Sequence, residues 1–233
     1  LADAGIAKAV VVSVFQDLQY MRDFIAAARG HVAALTYIDP RLPEAPALLE
    51  REMAAGFKGA KLLPVNRAYR LSDPACRPFF ERASELGAAI TIHYGVTVDP
   101  TGDLRYADPT DLSPVARDFP DVPFVIAHFG AGWLAEVLRL AYQCKNVCVD
   151  TSGTNNWRDY DPHGHTLTQV FDRALVALGP ERVLFGTDSG TTAQYRKWIK
   201  YQQMSVLDEL GLSARDRDLI LRGNAVRIFR LDD

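Results

Sequence analysis

Three short apolar segments of the chain each contain one side chain that can bind a metal ion or move a proton. They are ITIHYG with His93, FVIAHFG with His128 and VLFGTDSG with Asp188, and each of these residues lies two positions before a glycine. Histidine and aspartate bind divalent metals and exchange protons near neutral pH. Three such residues at the same relative place on three strand-like segments predict an enzyme with one central site.

The segments that must position these residues alternate between two patterns. Amphipathic helical stretches such as APALLEREMAA and WLAEVLRLAYQ lie between apolar, β-branched runs. Continuous apolar runs are typical of parallel strands buried on both faces. The runs that predict strands occupy residues 9–15, 32–39, 59–65, 88–95, 123–130, 147–153 and 182–189. The alternation predicts an α/β fold, either an open doubly wound sheet or a closed (β/α)8 barrel, as a single domain over residues 1–233.

The number of strands favours an incomplete barrel. Seven strand-like segments are visible, whereas a (β/α)8 barrel has eight, and an open set would leave two strand edges unpaired. The chain also begins with LADAGIAKAVVVS, which resembles a helix end that leads directly into a strand. We therefore expect a TIM-type barrel whose first strand and helix lie upstream of Leu1.

Barrel enzymes carry their chemistry at the carboxyl ends of the strands. We accordingly expect His93, His128 and Asp188 at one mouth, each about one residue before a loop. Side chains alternate between the two faces of a strand. This alternation predicts that Thr91 faces the interior beneath His93, and that Ile126 faces it beneath His128.

Composition restricts the class of partner. The 233 residues are 48% hydrophobic, which is enough for a sizeable core, and the net charge of −3 argues against a nucleic-acid partner. No apolar run reaches the roughly 18 residues of a membrane span, and no segment resembles a signal peptide. The three cysteines lack CxxC spacing and are expected to be core thiols, which predicts a cytoplasmic location. The expected partner is a small-molecule substrate.

The chain resembles the amidohydrolase-related (amidohydrolase 2) family of metal-dependent hydrolases and decarboxylases, which includes aminocarboxymuconate-semialdehyde decarboxylase. The matching segments are GFKGAKLLP (56–64), ITIHYG (90–95), VIAHFGAGW (125–133), VLFGTDS (183–189) and ILRGNAVRIFRL (220–231). The resemblance implies a (β/α)8 barrel with one divalent metal, most often Zn²⁺ and sometimes Mn²⁺. It also implies that His93 is a metal ligand, that Asp188 is both ligand and proton acceptor, and that His128 is an acid/base group near the metal.

The chain departs from this family in one respect. Members carry a His-x-His pair of metal ligands on the first strand, and this chain begins after that point. An internal HGH, His163 and His165, follows the strand at 147–153 in a polar loop. It is either a ligand pair or substrate contact, or an ordinary surface loop at a helix entry.

Other residues near the predicted mouth suit a carboxylated or cyclic substrate. Lys61 could hold a substrate carboxylate as a point charge, or its stem could simply pack on the barrel rim. Arg158 would add positive charge, and Trp157 would supply an aromatic wall for a planar ring. The helical stretch at 192–211 either offers a homodimer surface or packs on the barrel.

The function predicted by these features is metal-dependent hydrolysis of a small carboxylated or cyclic substrate. Asp188 would accept the proton of the attacking water, and His128 would orient that water or stabilise the oxyanion. The alternative within the same scaffold is a decarboxylase of an aromatic or muconate-like acid. The alternative from a different class is a metal-free or non-catalytic barrel scaffold.

Overall fold

The computed structural model describes residues 1, 4–13, 17–190 and 195–231. In this part of the chain seven strands form one parallel sheet in sequential order, each paired with the next. The strands are β1 (Ala9–Ser13), β2 (Val32–Tyr37), β3 (Gly59–Leu62), β4 (Ala89–Ile92), β5 (Phe124–Ile126), β6 (Val147–Asp150) and β7 (Val183–Leu184). The prediction of an α/β fold with seven parallel strands is confirmed. The predicted strand end at 14–15 and helix start at 192–194 lie outside the described residues.

Helices connect successive strands, as the alternating pattern predicts. The helices are α1 (Leu18–Ala27), α2 (Ala45–Ala54), α3 (Pro64–Arg67), α4 (Arg77–Leu86), α5 (Ser113–Asp118), α6 (Leu134–Gln143), α7 (Leu167–Leu178), α8 (Lys197–Glu209), α9 (Ala214–Asp218) and α10 (Asn224–Ile228). Single 3-10 turns matter at two places near the site, Ala127–Gly130 and Asn156–Tyr160. None of the helices in the described ranges is long and apolar enough to cross a membrane.

The sheet curls so that its two faces lie in separate hydrophobic clusters. On the concave face, side chains from five strands meet those of Ile228 and Phe229, at and just after the end of α10; the strand residues are Leu35, Ala89, Val125, Cys148 and Leu184. The convex face packs against the helices in a much larger cluster that includes Leu62, Ile92 and Phe124. Alternate residues of each strand therefore belong to different cores, which is the geometry of a barrel wall.

One prediction about the barrel interior is wrong. Ile126 belongs to the outer cluster between sheet and helices, whereas Val125 faces the concave side. The error has a backbone cause, because β5 ends at Ile126 and the chain then enters a 3-10 turn in which His128 has a φ of +57°. Strand alternation no longer relates residues across that turn, so the side chain of His128 does not share a face with Ile126.

The ends of β6 and β7 are joined by one buried glutamine on α8. Gln203 accepts a hydrogen bond from Thr151 Oγ1 at 2.6 Å and donates to two strand-end carbonyls, Thr151 O at 2.8 Å and Gly186 O at 2.9 Å. The backbone N–H of Gly186 also donates to Thr151 Oγ1 at 3.2 Å. Helix α8 thereby fixes the relative position of β6, which ends at Asp150, and β7, which precedes Asp188.

Candidate active site

His93 follows the last residue of β4 directly, at the carboxyl end of the sheet. Its Nε2 lies 3.0 Å from the carbonyl oxygen of Val96, and since a carbonyl can only accept, Nε2 carries the proton. Burial, with smaller contributions from the nearby Lys61 and His128, lowers the pKa of His93 to about 3. His93 is therefore a neutral imidazole near pH 7, with the lone pair on Nδ1.

His128 lies beside His93, with ring centroids 5.2 Å apart in an edge-to-face arrangement. The 3-10 turn after β5 holds His128 at a φ of +57°, a left-handed conformation that is uncommon for residues other than glycine. Its backbone N–H donates to Asp150 Oδ1 at 3.0 Å, and its Nδ1 lies 2.8 Å from Ser152 Oγ. The predicted pairing of two histidines at one mouth is present in the structure.

Lys61 lies on β3 in register with Thr91 of β4, on the same side of the sheet as the histidines. The residue is only 7% exposed, and burial lowers the pKa of its ammonium group, while Asp150 and Asp188 act in the opposite direction. Thr91 Oγ1 is buried and has no hydrogen-bond partner among the described residues. Lys61 is thus a buried amino group near two carboxylates and near His93.

Asp188 lies further from its strand than the sequence predicts. The predicted strand runs from 182 to 189, but β7 ends at Leu184, and Asp188 occupies the following loop with a φ of +49°. Its side chain is 55% exposed, and Oδ2 lies 3.5 Å from a guanidinium nitrogen of Arg196. The short strand explains the difference, because the chain leaves the sheet before Gly186 and turns at Asp188.

Sequence analysis missed two residues of this cluster, Asp150 and Ser152. Asp150 is the last residue of β6, and its Oδ1 accepts hydrogen bonds from the backbone N–H groups of His128 and Ser152 and from the hydroxyl of Ser152. The signal was present in the sequence. The segment DTSG at 150–153 ends a strand-like run in the way that TDSG ends the last one.

Arg158 and Trp157 lie on the 3-10 turn that follows β6. Trp157 is 6% exposed and belongs to the outer hydrophobic cluster, so its ring packs against helices. The buried Nε atoms of the two side chains, Trp157 Nε1 and Arg158 Nε, have no hydrogen-bond partner in the described part of the chain. Their role toward a substrate stays a prediction.

The HGH segment forms the entry to α7. Asp161 accepts hydrogen bonds from the backbone N–H of His163 at 3.0 Å and from that of His165 at 3.1 Å, and its Oδ2 lies 2.5 Å from His165 Nδ1. Thr166 then caps the helix through a capping box with Gln169. This is the helix-entry arrangement, one of the two interpretations that the sequence allows.

The described residues do not by themselves complete a metal site. Residues 1, 4–13, 17–190 and 195–231 contain no group of three or more His, Cys, Asp or Glu side chains close enough to hold a metal ion. A zinc site needs three protein ligands, and the predicted set supplies two, His93 and Asp188. The donor types suit a divalent metal, and at least one further protein ligand would have to come from outside the described residues.

In (β/α) barrel enzymes the active site lies at the carboxyl ends of the parallel strands, and the polar side chains described above have this arrangement. Residues 1–231 match the family model described as Amidohydrolase (Amidohydro_2), and the chain belongs to this family, which is metal-dependent. The resemblance seen in the sequence is therefore confirmed.

The proteins that are similar to this chain differ in their activities. The chain is 29% identical to a dihydroorotase from Yersinia pestis over 175 residues, 63% of this chain and 50% of that protein. It therefore spans about half the length of the curated relatives that it matches first. Among solved structures, an uncharacterised TIM-barrel protein from Bordetella bronchiseptica has a TM-score of 0.79 at 21% identity, covering 99% of this chain and 80% of the other.

Two further similar structures are those of a decarboxylase and of a putative hydrolase. The 5-carboxyvanillate decarboxylase from Sphingomonas paucimobilis has a TM-score of 0.74 at 18% identity, covering 99% of this chain and 81% of the other. A putative 2-pyrone-4,6-dicarboxylic acid hydrolase from Pseudomonas putida has a TM-score of 0.69 at 20% identity, covering 97% and 83%. These likenesses show that the chain has the fold of TIM-barrel amidohydrolases.

Proposed function

We propose that the protein is a hydrolase that acts on a small ring compound bearing a carboxylate. The observation that carries the proposal is the buried side chain of Lys61 near two aspartates and near His93, which pairs with His128 at the carboxyl end of the sheet. A desolvated ammonium group attracts an anionic substrate strongly, because little water screens it. The names of two similar structures, a carboxyvanillate decarboxylase and a pyrone dicarboxylic acid hydrolase, point to the same class of substrate.

Each polar side chain has one role in this proposal. Lys61 binds the substrate carboxylate, and its position on β3 directs the ring toward the two histidines. Asp188 accepts the proton of the attacking water and returns it to the leaving group, a transfer typically worth about 10²–10⁴-fold in rate. His128 either orients that water or stabilises the oxyanion. Arg158, which is half-buried, would add positive charge for the carboxylate, whereas the buried Trp157 would meet the ring only after a rearrangement.

We also propose that the protein takes one divalent metal, zinc or manganese, with His93 and Asp188 as two of its ligands. The neutral imidazole of His93 supports this, because a metal ligand must be unprotonated. Free, buried cysteines at 76, 144 and 148 support a reducing, cytoplasmic location.

Decarboxylation of an aromatic acid is the second candidate. The pairing of His93 with His128 near Lys61 favours it in one respect, since a ring carboxylate held by Lys61 would lie close to imidazole groups that can deliver a proton to the ring carbon. Hydrolysis opens a ring or releases a second product, whereas decarboxylation releases CO₂. The two reactions are therefore separated by product analysis on the same substrate.

The first experiment measures metal content by elemental analysis and then turnover on a panel of pyrone, lactone and benzoate carboxylates. We expect about one zinc or manganese ion per chain and ring-opened product. Asp188→Asn should abolish turnover, whereas Asp172→Asn, an equivalent change at an exposed position of α7, should leave it unchanged. His93→Ala should lower the metal content.

Two results would overturn the proposal. Full turnover in Asp188→Asn would exclude this residue as the proton acceptor. Unaltered metal content in His93→Ala would remove His93 from the ligand set. A wild-type protein with no metal and no turnover on the whole panel would instead favour the non-catalytic scaffold.

A further inference from the structure

We infer that Asp150 and Ser152 are positioning residues that hold His128 with its proton on Nδ1 and a free lone pair on Nε2. This inference rests on the proposed function, in which His128 either orients the water or stabilises the oxyanion. It decides between these two roles, because a lone pair accepts a hydrogen bond from water, whereas an oxyanion requires a donor.

The assignment of the proton follows from the hydrogen-bonding capacity of three groups. An aspartate carboxylate can only accept, so the short contact between Ser152 Oγ and Asp150 Oδ1 uses the one hydroxyl proton of Ser152. Ser152 Oγ can then only accept from His128 Nδ1, which lies 2.8 Å away. His128 must therefore donate through Nδ1, and in the neutral ring the remaining nitrogen, Nε2, is the acceptor.

The backbone fixes this arrangement as firmly as the side chains do. Asp150 Oδ1 also accepts from the N–H of His128 at 3.0 Å and from the N–H of Ser152 at 2.9 Å. One carboxylate oxygen on β6 thus anchors the turn that carries the imidazole and the serine that bonds to it. The backbone of Gly153 also lies close to the imidazole, since a Cβ at that position would lie 3.0 Å from His128 Nδ1.

The network leaves Nε2 of His128 free to hold the attacking water. Nδ1 is occupied by its bond to Ser152 Oγ, and Asp150 Oδ1 lies 4.0 Å from Nδ1. Nε2 accepts a hydrogen bond from one O–H of the water, while Asp188 takes the proton that is transferred. His128 therefore orients the water and does not itself carry the transferred proton.

Nitrogen-15 NMR of protein labelled at histidine tests the inference directly. The chain has five histidines, so the spectrum is simple, and a His128→Gln variant identifies the signals of His128. We expect a pyrrole-type shift for Nδ1 and a pyridine-type shift for Nε2. A proton found on Nε2 in the neutral wild-type ring would overturn the inference without the use of any variant.

Removal of the serine hydroxyl gives the second test. In Ser152→Ala we expect the signals of His128 to move toward a mixture of the two tautomers, and kcat to fall about 10- to 100-fold with KM changed less than about twofold. Asp150→Asn keeps an acceptor oxygen for the serine, so it should retain the wild-type tautomer. Ser72→Ala removes an equivalent serine–aspartate bond, to Asp111, and serves as the matched control with wild-type values.

The outcomes separate the two proposals. If Ser152→Ala leaves both the tautomer of His128 and kcat unchanged, the positioning role is wrong even though the enzyme is active. If no substrate is turned over by the wild type, the proposed function fails, but the NMR measurement still decides the tautomer.

Discussion

Gly153 is the position at which a single methyl group should disturb the site most selectively. It lies in the loop after β6 with a φ of +94°, and the Cβ of an alanine there would lie 3.0 Å from Nδ1 and 3.4 Å from Cγ of His128. Gly132 provides the matched control. Its φ is +101°, so alanine would suffer a similar backbone strain, but no atom lies within 4 Å of the added Cβ.

The backbone effect should be common to both variants. A residue other than glycine in this sparsely populated region costs about 1–3 kcal/mol, which lowers the Tm of a chain of this length by roughly 2–12 °C. The contact with His128 is additional in Gly153→Ala. Contacts of a Cβ atom shorter than 3.4 Å are rare, so the imidazole must move by a few tenths of an ångström. Catalytic groups tolerate displacements of about this size and no more, so we expect turnover to fall at least about tenfold.

The assay compares the two alanine variants with the wild type in thermal unfolding and in steady-state turnover. We expect similar losses of Tm in both variants, and a loss of kcat in Gly153→Ala alone. Equal kcat in the two variants would refute the reasoning, because it would mean that the imidazole of His128 does not contribute to catalysis from the position described.

Three further predictions concern Lys61, the hydrogen bonds of Gln203 at the ends of β6 and β7, and the buried cysteines. Lys61→Met should raise KM for a ring carboxylate about 10- to 100-fold, since a hydrogen bond to a charged group contributes about 1.5–3 kcal/mol. An unchanged KM would exclude Lys61 as the anion-binding residue. Gln203→Leu leaves Thr151 Oγ1 and the strand-end carbonyls without their hydrogen-bond partner. The free energy of unfolding should therefore fall by at least about 2 kcal/mol in urea titrations. An unaltered urea midpoint would contradict this prediction. Burial raises the pKa of Cys76 to about 12 and that of Cys148 to about 11. Mass spectrometry should therefore detect alkylation of these thiols at pH 8 only after the protein is unfolded. Rapid labelling of the native protein would contradict their burial.

The elements of the fold could be predicted because their signals are local. Buried parallel strands require continuous apolar runs, and the seven runs in the sequence correspond to the seven strands. The place of His93 was predictable for the same reason, since it follows an unbroken strand by one residue. The ends of strands were less predictable. The run at 182–189 suggested a strand of eight residues, but only Val183 and Leu184 pair with β6.

The polar network around His128 required the tertiary structure. Asp150 and Ser152 are 22 and 24 residues from His128 in sequence, and their hydrogen bonds exist only because β5 and β6 are neighbours in the sheet. The sequence contained both residues without any mark of their pairing. The same holds for the packing of Trp157 in the outer core, which only the tertiary structure shows.

The sequence by itself determined the alternation of strands and helices and the presence of His93, His128 and Lys61 near strand ends, because periodicity encodes these features within a few residues. The family followed from the resemblance of its motifs, which the family model confirms. The tertiary structure alone decided which face Ile126 occupies, where Asp188 lies and which nitrogen of His128 carries the proton. These properties depend on left-handed backbone turns and on hydrogen bonds between separate strands, and neither is recorded in the spacing of residues along one segment.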